Sequence, residues 1–333
     1  MAMKPLLNLL EGALAARAGL FDDSHQTGFR LFNGFSEGEP ELAIDLYART
    51  ALIHNYAAFP VDGEPAVQAA QEFLQARLPW LACIVVKTRN GRTPQEKQGK
   101  VVHGLTPDKR LLEHGVWYAL DLLMNRDASL YLDTRNVRLW AIEKLKNRTV
   151  LNTFAYTGSL GVAARAGGAA RVVHLDLNRA FLNVAKTSYT LNGFPIHKKD
   201  FAVADFWPYI NQLKRAGETF DCVFLDPPFF AATGKGTVDL QRDAARLINK
   251  VRPLIADGGV LVAINNALFQ SGKEYVQILE SLCADGYLQI EQFIPVPEDF
   301  TGYPNTRAGS PPVNPAPFNH ATKIAILRIR RKS

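Results

Sequence analysis

The second half of the chain alternates between apolar strand-like runs and helical segments, and this alternation most restricts the fold. The strand-like runs lie at 150–154, 171–176, 197–201, 220–226, 259–264, 288–294 and 323–329. Alternation of strand and helix is typical of a mostly parallel sheet. The pattern predicts an α/β fold with a Rossmann-like, seven-stranded sheet whose last two strands pair antiparallel.

The first part of the chain predicts a separate, smaller α/β domain. A chain of 333 residues suits two domains, because single cores rarely grow past roughly 250 residues. The first helix is expected to end near Gly19, and a later β-hairpin is expected to pair 116–121 with 128–132. The predicted divisions are a helix, the small domain, a hairpin linker and the seven-stranded domain, at 1–25, 26–108, 109–132 and 133–333.

Composition excludes several classes of protein. No apolar run approaches the roughly 18 residues that a membrane-spanning helix needs, so no membrane association is expected. Cys83, Cys222 and Cys283 are odd in number and widely spaced, which indicates reduced thiols and a cytoplasmic location. No cysteine or histidine group has the spacing of metal ligands, so no metal is expected.

The formal net charge of +6 is unevenly distributed. The segment 87–110 contains seven basic and two acidic residues, and a second basic cluster ends the chain, at Arg328, Arg330, Arg331 and Lys332. Such patches can neutralise phosphates and fit a nucleic-acid partner. An ordinary solvated surface is the alternative, and charge alone does not separate the two.

The run 151–161, LNTFAYTGSLG, predicts a buried strand, a glycine turn and the start of a helix. Gly158 is expected to let the backbone approach a ligand closely, and Gly161 to allow the following helix to pack. Ligands of open parallel sheets bind at the carboxyl ends of strands, where the strand order reverses. The run therefore predicts a nucleotide-shaped pocket beside Phe154 and Tyr156.

Acidic residues follow the next strands at the same predicted edge. Asp176 lies eighteen residues after Gly158, close to the distance at which a carboxylate accepts hydrogen bonds from a ribose diol. Leu177 lies beside it. Asp205 follows the third strand, where it could accept a hydrogen bond from the amine of adenine. Each acid could instead cap a helix, and that alternative stays open.

The run 226–229, Asp-Pro-Pro-Phe, separates two classes of nucleotide-binding enzyme. Two prolines after a strand fix an extended turn whose carbonyls point outward as acceptors. Asp226 and the Pro227 carbonyl could hold the protons of an amine, while Phe229 or Phe230 stacks on a flat base. Dinucleotide dehydrogenases use a fuller three-glycine motif. The set instead predicts a methyltransferase that uses S-adenosylmethionine and aligns the acceptor with the methyl group.

Several motifs in combination resemble the bacterial ribosomal RNA large-subunit methyltransferases. They are GFSEGEP at 34–40, IDLY at 44–47, LYLDTR at 130–135, NTFAYTG at 152–158, NG at 192–193 and DPPF at 226–229. The resemblance implies a class I methyltransferase fold. The family's usual N-terminal RNA-binding module has no counterpart in these residues, so RNA recognition is expected from the small domain at 26–108.

The resemblance also implies a set of residues around S-adenosylmethionine. They are Asp133 and Arg135 near the methionine end, Tyr156 and Gly158 near the cofactor backbone, Asp176 on the ribose and Asp205 on adenine. Phe154, Leu177 and Asp226 complete the predicted cofactor site.

The family has a 5-methylcytosine branch and a 7-methylguanine branch. Methylating carbon 5 of a pyrimidine needs a cysteine thiolate, which relatives of that branch carry just after the fifth strand. Asn265 and Asn266 stand at that place and resemble the guanine branch, as do Lys87 and Arg89 in the Lys-Thr-Arg run. The asparagines could contact a base edge or form a turn, and both readings stay open.

The leading prediction is a methyltransferase that modifies a purine nitrogen in ribosomal RNA, with guanine favoured and no cysteine nucleophile. Its catalytic residues are Asp226, Pro227 and Phe229, and its substrate residues are Phe230, Asn265, Asn266, Lys87 and Arg89. The alternatives are a protein or small-molecule acceptor, or a cofactor- or RNA-binding module without catalysis. The proline-rich segment 295–317 is expected to form a substrate loop or lid, or else a stiff surface loop. The oligomeric state stays open, with a homodimer as one option.

Overall fold

The structure, a computed structural model, describes residues 3–331, so Met1, Ala2, Lys332 and Ser333 of the predicted segments lie outside the described residues. The chain divides into two compact units. Unit 1 contains the residues up to Leu132 and the segment Pro297–Pro311, and unit 2 contains Asp133–Val296 and the residues from Pro312 onward. Within residues 3–331, no helix is long and apolar enough to cross a membrane.

Unit 1 is built on a five-stranded sheet. Its elements up to Leu132 are α1 (Met3–Ala16), β1 (Gly28–Asn33), α2 (Gly34–Glu37), β2 (Leu42–Tyr47), β3 (Thr50–Asn55), α3 (Pro60–Arg77), β4 (Cys83–Thr88), α4 (Pro94–Gln98), β5 (Lys100–Gly104), β6 (Arg110–Glu113) and β7 (Val116–Ala119). The sheet order is β1-β2-β3-β4-β5, in which β3 and β4 pair in parallel and the other neighbours antiparallel. Apolar side chains of α1 and α3, such as Leu10 and Leu74, pack with sheet residues such as Ile53 in one core.

The first helix ends close to Gly19, as predicted, and does not fill the predicted segment 1–25. It ends at Ala16, and a 3-10 turn follows at Ala18–Leu20. The Asp22 carboxylate then accepts hydrogen bonds from the backbone N–H groups of Ser24 at 2.9 Å and Thr27 at 3.1 Å. A side chain that bonds to its own local backbone competes with helix formation, so residues 22–27 do not continue as a helix toward the predicted boundary at residue 25.

The hairpin in 109–132 pairs different strands from those predicted. β6 pairs with β7, and residues 128–132 form no strand. His114 and Gly115 join the two strands with φ values of 52° and 75°. Positive φ at both positions is the two-residue turn that matches strand twist, and it usually has the sequence Asn-Gly or Asp-Gly. The His-Gly pair lacks that signal, and the predicted pairing of 116–121 with 128–132 was wrong.

The segment Pro297–Pro311 is anchored inside unit 1 by buried polar groups. The Arg17 guanidinium donates to both carboxylate oxygens of Glu37 at 2.9 Å and to the Asp299 carbonyl at 2.8 Å. The Asp299 carboxylate accepts from the backbone N–H of Arg30 at 2.8 Å. Because Arg17, Glu37 and Asp299 are each at most 1% exposed, a freely moving lid does not fit these contacts. The segment also holds a short helix, α11 (Glu298–Thr301).

Unit 2 contains the predicted seven-stranded sheet. Its elements are α5 (Arg135–Lys144), β8 (Thr149–Thr153), α6 (Ser159–Ala166), β9 (Arg171–Asp176), α7 (Arg179–Leu191), β10 (Phe201–Val203), α8 (Phe206–Arg215), β11 (Phe220–Leu225), β12 (Phe230–Thr233), β13 (Gly236–Asp239), α9 (Leu240–Val251), β14 (Ile255–Asn265), α10 (Gly272–Cys283), β15 (Leu288–Phe293) and β16 (Lys323–Ile329). The sheet order is β10-β9-β8-β11-β14-β16-β15, and β16 pairs antiparallel with both β14 and β15. The predicted sheet and its antiparallel pair are therefore confirmed.

One strand of this sheet begins later than predicted. The run 197–201 was expected to be a strand, but Lys198–Asp200 forms a 3-10 turn and β10 starts at Phe201. The Asp200 carboxylate pairs with the Arg171 guanidinium at 3.0 Å, which holds that turn against the first residue of β9.

The parallel strands place one edge of the sheet where a ligand can bind. β10, β9, β8, β11 and β14 run in the same direction, and the strand order reverses between β8 and β11. The carboxyl ends of parallel strands at such a reversal form the usual ligand crevice. We call this the carboxyl edge of unit 2.

Candidate active site

The turn after β8 has an unusual backbone. Phe154, Tyr156 and Gly158 have φ values of 52°, 51° and 78°, in the left-handed region that favours glycine. Two aromatic residues remain in this region only when other contacts hold them. The Phe154 ring stacks on Phe206 with centroids 4.5 Å apart, and the Tyr156 ring meets Phe181 edge-on at 4.6 Å. The turn is therefore fixed at the carboxyl edge.

Asp176, the last residue of β9, ties this turn to the neighbouring strand. Its carboxylate accepts hydrogen bonds from the backbone N–H groups of Tyr156 and Asn178, both at 2.8 Å. Burial raises the pKa of Asp176, and these backbone donors oppose that rise. Leu177 follows and is 61% exposed. The structure thus brings Asp176, Leu177 and the turn together, while the ribose contact stays a prediction.

Gly158 and Gly161 allow close packing within the protein itself. A Cβ atom at Gly158 would lie 2.6 Å from the Cβ of Ala185, and one at Gly161 would clash with the His174 ring. Helix α6 therefore approaches β9 and α7 more closely than side chains would allow. The packing role of Gly161 is as predicted, and the approach of the Gly158 backbone to a ligand stays a prediction.

His174 is a buried residue that sequence reasoning missed. Its Nε2 lies 3.0 Å from the Tyr189 hydroxyl, and its ring stacks on Phe201 with centroids 5.0 Å apart. Burial lowers the pKa of His174 to about 3, so the ring is neutral. The available signal was a polar residue within an apolar strand.

Asp205 caps the helix that follows β10. Its Oδ1 accepts a hydrogen bond from the backbone N–H of Trp207 at 2.9 Å, at the start of α8. The capping alternative therefore holds for this oxygen. The adenine contact stays a prediction for the other carboxylate oxygen.

Asp226 lies near the middle of the carboxyl edge, directly after β11. Its side chain is partly buried, Pro227 is buried, and Pro228 is exposed. Burial, together with the negative charge of Asp133, raises the pKa of Asp226 to about 7. A carboxyl group with this pKa exists in both protonation states at neutral pH, so it can accept a proton from a reacting group.

Asp133 and Arg135 begin the first helical segment of unit 2. Asp133 lies in a 3-10 turn, and its Oδ2 accepts a hydrogen bond from the Thr322 hydroxyl at 3.1 Å. Arg135 is partly buried at the first position of α5. The influence of Asp133 on the Asp226 pKa shows that the structure brings two predicted site residues together from distant parts of the chain.

The aromatic residues after Pro228 lead into a hairpin that was not predicted. Phe229 and Phe230 are 45% and 60% exposed. Phe230 begins β12, which pairs antiparallel with β13, and the Phe229 carbonyl accepts from the Leu240 N–H at 3.0 Å. Both rings are therefore available to a ligand at the carboxyl edge.

Asn265 and Asn266 differ in what they contact. Asn265 is fully buried at the end of β14. Its Nδ2 donates to the Gln270 Oε1 at 2.9 Å, and its Oδ1 accepts from the Ala267 N–H at 2.8 Å. The turn-forming alternative therefore holds for Asn265. Asn266 is exposed, and a base contact stays a prediction for it.

Lys87 and Arg89, the other predicted substrate residues, lie in unit 1. Lys87 is 2% exposed, and its ammonium donates to the backbone carbonyls of Asn125 at 2.6 Å and Asp127 at 3.1 Å. Burial lowers the pKa of Lys87 to about 8. Arg89 pairs with the Asp127 carboxylate at 2.7 Å. Both cations hold the same chain segment, and their contact with RNA stays a prediction.

The acids at the carboxyl edge suit a cationic nucleoside ligand. A positive group would relieve the repulsion between Asp133 and Asp226 that raises the Asp226 pKa. S-adenosylmethionine carries such groups, an ammonium and a sulfonium, and Asp176 offers carboxylate acceptors at a neighbouring strand end. The strand order, the glycine turn and these acids together define a class I methyltransferase.

Comparison with known proteins gives the family. A model of the S-adenosylmethionine-dependent methyltransferase family matches residues 103–286, more than half of the chain. The chain is also 30% identical over 300 residues to the Bacillus subtilis protein named "Putative ribosomal RNA large subunit methyltransferase YwbD", across 88% of this chain and 75% of that one. The chain therefore belongs to the S-adenosylmethionine-dependent methyltransferases, and S-adenosylmethionine is its cofactor.

Two further comparisons extend this result. A "Ribosomal RNA large subunit methyltransferase I" of Photobacterium profundum is 28% identical over 287 residues, which cover 86% of this chain and 70% of that protein. A crystal structure of "a putative methyltransferase complexed with SAH" matches with a TM-score of 0.84 at 20% identity, over 99% of this chain and 82% of that one. The structural match shows a shared fold along nearly the whole chain.

Proposed function

We propose that this methyltransferase acts on large-subunit ribosomal RNA in the cytoplasm and methylates a purine nitrogen, with guanine favoured. The names of the Bacillus and Photobacterium relatives support the RNA substrate, because the matches extend over 75% and 70% of those proteins. Those names state no base. The choice of a nitrogen acceptor therefore rests on the site.

The choice of a nitrogen acceptor rests on the positions of the cysteines. Cys222 is fully buried within β11, Cys83 is buried in β4 of unit 1, and Cys283 ends α10. Burial raises the pKa of all three thiols. Covalent addition to a pyrimidine needs a thiolate within reach of the base. The carboxyl edge offers the Asp226 carboxylate instead.

Direct transfer requires the protein mainly to align the acceptor and manage one proton. Bound S-adenosylmethionine supplies a methyl group on a sulfonium. The nitrogen–carbon bond forms as the sulfur–carbon bond breaks, and the electrons of the broken bond return to sulfur. When the acceptor is an exocyclic amine, Asp226 accepts the proton that the amine loses, since its pKa is about 7. At a ring nitrogen that carries no hydrogen, such as N7 of guanine, no proton is lost, and Asp226 with the Pro227 carbonyl only orients the base.

The test is transfer of labelled methyl groups to RNA that lacks the modification. Purified protein is incubated with labelled S-adenosylmethionine and total RNA from a strain without the gene, and the digested nucleosides are separated. Label in 7-methylguanosine or 1-methylguanosine supports a ring nitrogen of guanine, and label in N2-methylguanosine or N6-methyladenosine moves the acceptor to an exocyclic amine. Label in 5-methylcytidine contradicts the nitrogen acceptor. No label in any nucleoside, with cofactor binding intact, contradicts the RNA substrate.

Two variants test whether transfer of the label depends on Asp226. Asp226→Ala is expected to lower the transfer rate far more than it weakens cofactor binding. Glu280→Ala removes an exposed acid of α10 and is the matched control, with transfer unchanged. Equal rates in the two variants would remove Asp226 from the reaction.

A further inference from the structure

The turn after β14 presents two apolar side chains to solvent. Leu268 and Phe269 are 45% and 64% exposed, while Ala267 and Gln270 on either side of them are buried. An exposed aromatic residue that is fixed in one place is available to stack on a flat partner. We call residues 265–270 the platform turn.

Four hydrogen bonds hold the base of the platform turn. Asn265 accepts from the Ala267 N–H at 2.8 Å and donates to Gln270 at 2.9 Å. The Gln270 N–H donates to the Ala267 carbonyl at 3.3 Å, and the Lys323 ammonium donates to the same carbonyl at 2.9 Å. Lys323 is fully buried, and burial lowers its pKa to about 8. Burying an ammonium group is costly unless it is bonded, so the bonds of Lys323 fix the platform turn in place.

The platform turn lies beside the reacting carboxylate. β14 pairs in parallel with β11, with Ala263 opposite Leu225, so residues 265–270 and Asp226 leave the sheet on adjacent strands. The described part of unit 2 exposes seven large apolar side chains, and six of them follow or end strands at the carboxyl edge: Leu177, Val203, Phe229, Phe230, Leu268 and Phe269. Exposed apolar surface in this unit is thus concentrated where the substrate must enter.

We propose that Phe269, supported by Leu268, stacks on an unpaired RNA base that neighbours the base being methylated. The proposal rests on the proposed function and adds the form of the substrate, a single-stranded or splayed segment. Aromatic rings stack on any base, so such a contact would bind RNA without selecting a sequence. Lys323 and Asn265 are positioning residues that keep the platform turn in the required place.

The test compares three replacements of Phe269 with one control. Three quantities are measured for each protein: KM for total RNA from the strain without the gene, kcat, and the Kd of S-adenosylhomocysteine. Phe269→Ala is expected to raise KM roughly tenfold, within the range for loss of one base stack, with kcat and Kd unchanged. Phe269→Leu should raise KM as much as Phe269→Ala does, because leucine is apolar but has no ring to stack on a base. Phe269→Trp should keep the wild-type KM. Ile196→Ala removes an exposed apolar side chain that lies before β10, away from the carboxyl edge, and should change nothing.

Several results would overturn the proposal. An unchanged KM in Phe269→Ala rules out the contact, and an unchanged KM in Phe269→Leu rules out stacking. A change in the oligomeric state of Phe269→Ala without a change in KM makes the surface a protein interface. Failure of the proposed function can be told apart from failure of this stacking proposal, because in that case the wild-type protein itself transfers no label to RNA.

Discussion

Replacing Asp226 with asparagine should stabilise the protein while it impairs methyl transfer. Burial, and then the charge of Asp133, raises the pKa of Asp226 from 3.8 to about 7. Between these two pH values the folded state therefore binds more protons than the unfolded state. Stability falls as pH rises through this window, and the full cost of the ionised carboxylate is present above pH 7.

The size of this cost follows from the pKa shift. The shift is about three pKa units, and each unit corresponds to about 1.36 kcal/mol, so the ionised carboxylate destabilises the fold by about 4 kcal/mol. Asparagine keeps the shape of the side chain without the charge. The gain in free energy of unfolding for Asp226→Asn should be small near pH 4 and approach about 4 kcal/mol at pH 8.

Urea unfolding of the cofactor-free protein between pH 4 and pH 8 measures this difference. Asp221→Asn, at the other end of β11, is a control whose effect on the free energy of unfolding should have the opposite sign. Asp221 accepts hydrogen bonds from the N–H and the hydroxyl of Thr149, both at 2.8 Å, and these bonds lower its pKa. Its contribution is present at neutral pH and lost in acid, so Asp221→Asn should destabilise the protein most at neutral pH. A stability gain for Asp226→Asn that does not change with pH would refute the reasoning.

Two further predictions concern the cofactor side of the site. Asp176→Ala should weaken binding of S-adenosylhomocysteine by roughly 10- to 100-fold, because hydrogen bonds to a charged group contribute about 1.5 to 3 kcal/mol; calorimetry with an unchanged Kd would remove the ribose assignment. Gly158→Ala should lower the free energy of unfolding by about 1 to 3 kcal/mol, since its Cβ would meet Ala185 at 2.6 Å. Gly217→Ala is the control, because Gly217 has a similar positive φ of 67° but no atom lies near the added Cβ. An equal loss of unfolding free energy in the two variants would show that crowding does not contribute.

Local sequence patterns predicted the strands of the large sheet well. The observed bounds of β9 and β16 are those predicted, because apolar runs and period-two patterns depend on neighbouring residues. The hairpins β6–β7 and β12–β13 have strands of four residues each, which are too short for such a pattern. His114 and Gly115 form their turn without the usual Asn-Gly or Asp-Gly signal.

The sequence by itself determined the class of protein, because the strand–helix alternation, the glycine turn and the Asp-Pro-Pro-Phe run are local features. Only the tertiary structure decided how individual residues are used. Arg17 is bound to Asp299, 282 residues away, which makes the proline-rich segment part of unit 1. Asn265 serves the platform turn, and Asp226 acquires a pKa near 7 beside Asp133. Burial and the charges that surround a group come from residues distant in the chain, so no local pattern encodes them.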